Sequence, residues 1–259
     1  MNNVAIITGA STGIGKELAR IHAQKKGDLI LVARRKTLLE SLRDELQLKY
    51  KVQVEVIEMD LSKPRAGISL ANIILDKGIK IRFLFNNAGF GGYGEFIDRT
   101  LETDIDMIHL NIICLVELSH ALANHMVKNG GGMILNTAST AGFMPGPLQA
   151  TYFATKSFVV SFSQALDQEL RAKGVTVTAL CPGPVETDFF DVAGMKNSKL
   201  SQGAKSAFYT ASRGYEAMLN KKLICISDSR LSFLLNYFLW MVPRRTLLSL
   251  VEKLQRNYA

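Results

Sequence analysis

The stretch VAIITGASTGIG, residues 4–15, constrains this chain more than any other. Its first five residues read as a buried strand. Gly9, Gly13 and Gly15 follow at once, and helical periodicity then predicts a helix from about Ile14 to Lys25. Glycines let the backbone turn tightly and let a ligand approach it. The helix N-terminus behind them offers free N–H groups and a positive dipole end, which suits a pyrophosphate. A glycine-rich turn alone is a weak signal. Placed between a strand and a helix at the head of a βαβ unit, it reads as a dinucleotide site, although its spacing is GxxxGxG rather than GxGxxG.

The same alternation continues along the chain. Short β-rich runs predict strands at 29–33, 52–59, 83–86, 131–139, 175–183 and 222–227. Longer stretches predict helices at 37–48, from about Leu101 to Lys128, and from the Tyr152 segment to about Lys173. Strands alternating with helices imply right-handed crossovers, and so an α/β fold with a doubly wound parallel sheet of about seven strands and helices on both faces. The 259 residues contain no repeat, low-complexity segment or linker, so residues 1–259 read as a single domain.

The end of the second strand bears on the type of dinucleotide. A carboxylate there would bind a ribose 2′-hydroxyl. This chain has Arg34, Arg35 and Lys36 instead, with no acid between Asp28 and Glu40. Guanidinium groups can clamp a 2′-phosphate that a carboxylate would repel, so the pattern favours NADP(H) over NAD. An exposed basic helix start is the competing reading.

Tyr152 and Lys156 lie one helical turn apart and share a face. By themselves they are either an ordinary helix-face pair or a phenol whose proton affinity an ammonium lowers. Ser139 alone reads as a strand-end serine, and Asn111 as a polar residue that bends a helix.

Taken in order, these motifs resemble the short-chain dehydrogenase/reductase family over about residues 3 to 190. TGASTGIG (8–15) is similar to that family's nucleotide turn, MDLS (59–62) to its adenine-side segment, NNAG (86–89) to its fourth-strand motif and PGPVETD (182–188) to its nicotinamide-side loop. Asn111, Ser139, Tyr152 and Lys156 match its catalytic tetrad. The resemblance implies a Rossmann-type fold and an NADP-dependent oxidoreductase acting on a ketone, aldehyde or alcohol. It implies that Tyr152 is the acid/base, that Lys156 lowers the phenol pKa and holds the nicotinamide ribose, that Ser139 bonds the substrate oxygen, and that Asn111 holds a water. Cofactor contacts are implied from Gly9, Ser11, Thr12, Gly13, Ile14 and Gly15 in the turn. Further contacts are implied from Arg34 and Arg35, from Asp60 and Leu61, from Asn87, Ala88 and Gly89, and from Pro182, Gly183, Val185 and Thr187. One departure is Thr12, where some NADP-dependent members carry a basic residue. That leaves the work to Arg34 and Arg35, with the Ser11 hydroxyl. A non-catalytic dinucleotide sensor is the alternative from another class, but such a protein could lose Tyr152 or Lys156, and this chain keeps both.

The net charge of +8 is unevenly placed. Residues 1–191 hold 20 basic and 20 acidic side chains, whereas residues 192–259 hold 11 and 3. No nucleic-acid reading element accompanies the excess. Cys114, Cys181 and Cys225 are scattered and show no metal spacing, which fits a reducing cytoplasm. The start carries no secretory signal, and no segment reads as long enough to span a bilayer. His120 and His125 read as structural. GFGGYGEF (89–96) is too glycine-rich for regular structure and is expected to shape the ligand site; residues 189–221 are expected to form a mobile substrate loop. The tail from 228 to 259 is apolar over 231–242 and flanked by basic residues. It is expected to be a lid, a subunit interface or a weak peripheral membrane contact, the last suggesting a lipid or 3-ketoacyl-type reductase. The two long helices predict a homodimer or homotetramer by family resemblance.

Overall fold

The computed structural model of the protein describes residues 1–189, 204–228, 235 and 242–257. In chain order these form β1 (Val4–Thr8), α1 (Gly13–Gln24), β2 (Leu29–Ala33), α2 (Lys36–Tyr50), β3 (Val54–Glu58), α3 (Ala66–Leu75) and β4 (Ile81–Asn86). Then come α4 (Leu101–Ile108), a π-helical turn (His109–Cys114), α5 (Leu115–Lys128), β5 (Gly132–Thr137), α6 (Ala150–Leu170) and β6 (Val175–Cys181). Last are the short strands β7 (Val185–Glu186) and β8 (Lys205–Ser206), α7 (Ala207–Leu219), β9 (Ile224–Ile226) and α8 (Arg244–Asn257).

Seven strands pair in parallel in the order β3-β2-β1-β4-β5-β6-β9. From β1 the chain winds outward to β3; from β4 it winds the other way. The carboxyl ends of β1 and β4 therefore flank the point where strand order reverses, which is where open α/β sheets bind ligands. The sheet is covered on both faces, so β1 and β6 are buried at every position rather than at alternate ones. On one face lie Leu18, Leu39, Leu42, Leu46, Tyr215 and Met218 from α1, α2 and α7. On the other lie Leu70 and Ile74 of α3 and Leu118, Leu122 and Met126 of α5.

Three expectations are corrected. The expected 189–221 loop contains α7, whose Thr210, Ala211, Gly214, Tyr215 and Met218 are buried against α1 and the sheet. Burying Met218 alone contributes about 1.5–3 kcal/mol, which helps fix the helix against the sheet. Residues 190–203 of that segment lie outside the described residues. The run 101–128 is long and apolar enough, with mean hydropathy 1.4, to cross a membrane by length and composition, contrary to the expectation that no segment is. Here Leu115, Leu118, Leu122 and Met126 are buried in the fold. α3 was not anticipated at all: AGISLANIIL is apolar nearly all round and has no helical stripe to read. In the tail, the apolar stretch 231–242 lies outside the described residues except for Leu235, which is buried beside Val159 and Ile226, and Val242.

His125 does serve structure: its Nε2 accepts the Ile81 amide at 3.2 Å. His22 is sealed between α1 and the sheet, 2.9 Å from the Tyr215 hydroxyl and 2.8 Å from the Asn3 carbonyl. Burial pulls its pKa down to about 4, against the weaker pull of the Asn3 bond and Asp28. Its folded pKa thus lies below the ordinary 6.5, so the unfolded chain binds the extra proton. Stability from this group should be complete above pH 6.5 and fall by up to about 3 kcal/mol as pH drops towards 4. Urea unfolding of the protein and of His22→Gln across that window checks this; identical pH slopes for the two would contradict it.

Candidate active site

The site begins with one hydroxyl. Thr8, the last residue of β1, is 2% exposed. Its Oγ1 donates to the Phe85 carbonyl at 3.2 Å and accepts the amides of Asn87 at 2.9 Å and Ala88 at 3.0 Å. Asn87 Nδ2 returns bonds to the Thr8 and Gly9 carbonyls at 3.1 and 3.4 Å. The glycine turn and the loop after β4 are thereby locked together. That closeness explains two of the glycines. Gly9 has φ +66°, and a Cβ there would lie 2.9 Å from Ala88 Cα. A Cβ on Gly15 would lie 2.3 Å from the Gly9 carbonyl oxygen.

Beside this junction, a buried polar chain ties strands to helices. Asn86 Nδ2 donates to Ser119 Oγ at 3.0 Å and Asn136 Oδ1 at 2.9 Å; Asn136 Nδ2 donates to Ser163 Oγ at 2.9 Å. It couples β4 and β5 to α5 and to α6, the helix that carries Tyr152 and Lys156.

Tyr152 and Lys156 are 9% and 5% exposed. Ser139, which follows β5, faces Tyr152; its hydroxyl donates to the Pro182 carbonyl at 3.5 Å and accepts the Ala141 amide at 3.1 Å. Lys156 Nζ donates to the Thr137 carbonyl at 2.8 Å and lies 5.8 Å from the Tyr152 ring centre. Burial pushes the phenol up to about 12, with the Ser139 hydroxyl opposing it. Burial pulls the lysine down to about 8. Burial outweighs the tuning expected of Lys156, because it disfavours both charged forms.

Asn111 sits in the π-helical turn, 2% exposed. Its Oδ1 accepts the Phe90 amide at 3.2 Å, and its Nδ2 donates to the Phe90 carbonyl at 3.0 Å and Thr155 Oγ1 at 3.1 Å. The extra residue in the turn aims the side chain at the 89–96 loop. Both ends of the amide are used for protein contacts, so Asn111 anchors the loop beside Lys156.

A cavity of about 410 Å³ brings the predicted residues together. It is lined by Gly9, Ser11, Thr12, Gly13 and Ile14, by Arg34, Arg35, Asp60 and Leu61, and by Asn87, Ala88 and Gly89. Ser139, Tyr152 and Lys156 line it with Pro182, Gly183, Val185 and Thr187. Gly15 and Asn111 do not; both act from beneath. At the basic end, Arg35 Nη2 donates to Thr12 Oγ1 at 2.8 Å and Ser11 Oγ at 3.2 Å, while Nη1 meets Asp188 at 3.1 Å. Burial works against charge on Asp60, but bonds from Ser62 N and Oγ, with Arg34 and Lys63 nearby, hold its pKa low. At the other end the walls are Phe90, Met144, Phe153 and Phe189, with Gln149 and Gln255. Phe90 and Phe189 lie in stretches expected to shape the site. Gln149, Phe153 and Gln255 carried no sequence signal: Gln255 lies more than a hundred residues along the chain from its neighbours.

Family comparison now adds to this geometry. The short chain dehydrogenase model matches residues 3–197. The chain belongs to the short-chain dehydrogenase family. It is 33% identical over 191 residues to the very-long-chain 3-oxoacyl-CoA reductase-B of Danio rerio, covering 71% of this chain and 60% of that protein. To the sulfoacetaldehyde reductase of Chromohalobacter salexigens it is 36% identical over 192 residues, covering 73% and 75%. The chain spans only about half to three fifths of the length of the 3-oxoacyl-CoA reductases that it matches. A short-chain dehydrogenase from Sphingobium yanoikuyae in complex with NADPH superimposes with TM-score 0.82 at 32% identity, over 88% of this chain and 89% of that one. A bulky-bulky ketone specific alcohol dehydrogenase from Comamonas testosteroni does so with TM-score 0.77 at 27% identity, over 95% and 98%. The fold and family of oxidoreductase follow.

The lysine can be titrated directly. In NMR of side-chain-labelled protein, Lys156 should lose its proton near pH 8, well below the ordinary 10.5. A midpoint at 10 or above would contradict its burial without a paired anion.

Proposed function

We propose that this chain is an NADPH-dependent reductase of ketone or aldehyde carbonyls, running reversibly as an alcohol dehydrogenase. The observation that carries the reading is that Tyr152, Ser139 and Lys156 open on the same cavity as the glycine turn. NADPH, when bound, supplies the hydride. The residues fit that cofactor: Gly9, Ser11, Thr12, Gly13 and Ile14 line the cavity at the N-terminus of α1, whose free N–H groups and dipole suit a pyrophosphate. Ser11, Thr12, Arg34 and Arg35 offer donors and positive charge at the end of β2 for a 2′-phosphate, and Asp60 and Leu61 border the adenine end. Lys156 would hold the ribose. Ser139 positions the substrate oxygen, and Tyr152, protonated in the resting site, donates the proton that the new alcohol needs.

The aromatic walls at the far end support an apolar, bulky carbonyl compound. The free, buried thiols of Cys114, Cys181 and Cys225 support a reducing, cytoplasmic setting. Exposed Ile105, Ile113 and Phe158 on the two long helical segments support a homodimer or homotetramer. A second reading, a lipid or 3-ketoacyl-type reductase resting on a membrane surface, is favoured by one feature. Phe96, Ile97, Leu250 and Leu254 are exposed, and basic Arg244, Arg245 and Lys253 lie on α8.

A panel of carbonyl compounds followed by NADPH absorbance tests the reaction. Cofactor titration tests the rest. NADPH should bind more tightly than NADH, and Arg34→Ala/Arg35→Ala should weaken NADPH at least about tenfold while NADH changes little. Equal affinity of the unmodified protein for both would remove the NADP assignment.

A further inference from the structure

The helix α8 reaches back from the end of the chain to the catalytic end of the cavity. Leu247, Val251 and Gln255 recur every four residues and so share one face. That face packs on Tyr152, Phe153, Met107 and Ala141, with Phe90, Met144 and Phe189 around it. Leu250 and Leu254 stay exposed on the opposite side. The helix end is tied down by Arg256, which meets Glu95 at 3.1 Å and Glu252 at 3.1 Å.

In this apolar wall two amides are buried together. Gln149, the residue before α6, is 6% exposed, and Gln255 is 8% exposed. Gln149 Nε2 donates to Gln255 Oε1 at 2.8 Å. That bond uses the oxygen of Gln255 and sets which way its amide faces. The Gln255 nitrogen, with two N–H groups, has no hydrogen-bond partner among the described residues, and the residue lines the cavity. A donor left open to a cavity with apolar walls gives an entering ligand one of the few polar groups that can fix its orientation.

We propose that Gln255 Nε2 is a substrate-reading donor, which bonds a second acceptor oxygen on the substrate while Tyr152 and Ser139 hold the reacting carbonyl. The substrate class is then an apolar ketone that carries a further carbonyl, ester or ether oxygen along its chain. Gln149 is a positioning residue, holding the Gln255 amide in place. The α8 helix is the wall that sets specificity, and it is supplied by the tail rather than by the sheet. This proposal rests on the reductase reading for the role of Tyr152 and Ser139, but its test does not need turnover.

Two ligands of equal length serve as probes: ethyl benzoylacetate, with a ketone and an ester carbonyl, and hexanophenone, with the ketone alone. Their binding to the NADP⁺-loaded protein is measured by calorimetry, and kcat and KM are measured wherever reduction occurs. Gln255→Glu keeps an oxygen for Gln149 Nε2 but loses the donor; Gln255→Met fills the volume and loses both. Thermal melting and NADP⁺ affinity report whether each variant is folded. The unmodified protein should bind ethyl benzoylacetate about tenfold more tightly than hexanophenone, the order expected for one added hydrogen bond to a buried donor. Both variants should lose that preference, mostly through KM, with hexanophenone within about threefold of its original affinity. A preference absent from the unmodified protein, or surviving in Gln255→Glu, would overturn the proposal. So would equal weakening of both ligands, which would leave Gln255 as a helix anchor only. Loss of NADPH oxidation with selective binding intact would instead count against the reductase reading alone.

Discussion

The Thr8 hydroxyl is the joint on which the site depends. It makes three hydrogen bonds at the point where strand order reverses. A parallel sheet splits there, and its backbone groups would otherwise be left unpaired in the crevice. By satisfying them, Thr8 fixes the glycine turn on one side and the Asn87–Gly89 loop on the other. Asn86 and Asn136 extend the same rigidity to the helices that carry Asn111, Tyr152 and Lys156. The cavity is therefore built from elements locked before any ligand arrives, which is what positioning a proton donor requires.

The price of that enclosure is electrostatic. The same burial that excludes water raises Tyr152 to about 12 and lowers Lys156 to about 8. For the proposed reduction this suits the chemistry, since the phenol must arrive protonated. For the reverse reaction the phenolate must form, and the Lys156 ammonium, 5.8 Å from the Tyr152 ring centre, favours it when protonated. Positive charge from an oxidised nicotinamide would add to it in that direction. The α8 wall adds a second consequence of burial: a polar side chain placed among aromatic ones gains leverage over which substrates fit.

Much of this was legible in the sequence, for physical reasons. Strand periodicity and the Gly9–Gly15 turn are local signals, and the doubly wound parallel sheet follows from them. Tyr152 and Lys156 sit one turn apart, so their pairing is local as well. The elements that escaped notice lack such signals. α3 is apolar nearly all round, and α7 carries Phe208, Tyr209 and Leu219 on its exposed side, which blurs its buried stripe. The π-helical turn around Asn111 is set by its Phe90 contacts and not by any helix propensity. The Gln149–Gln255 contact joins residues far apart in the chain, and only the folded path of the tail brings them together. The direction of the Tyr152 shift escaped the sequence because a one-turn spacing says nothing about burial, which disfavours both charged forms.

The central claim is that Tyr152 is the proton donor of a carbonyl reduction. Tyr152→Phe removes one hydroxyl and leaves the ring to pack on Phe153 and Phe189. The decisive measurement is single-turnover reduction of a carbonyl identified by screening, beside an NADPH titration of the same variant. The account predicts near-normal NADPH affinity with turnover lowered by about 10²–10⁴-fold. Turnover close to that of the unmodified protein, with NADPH still bound, would contradict it.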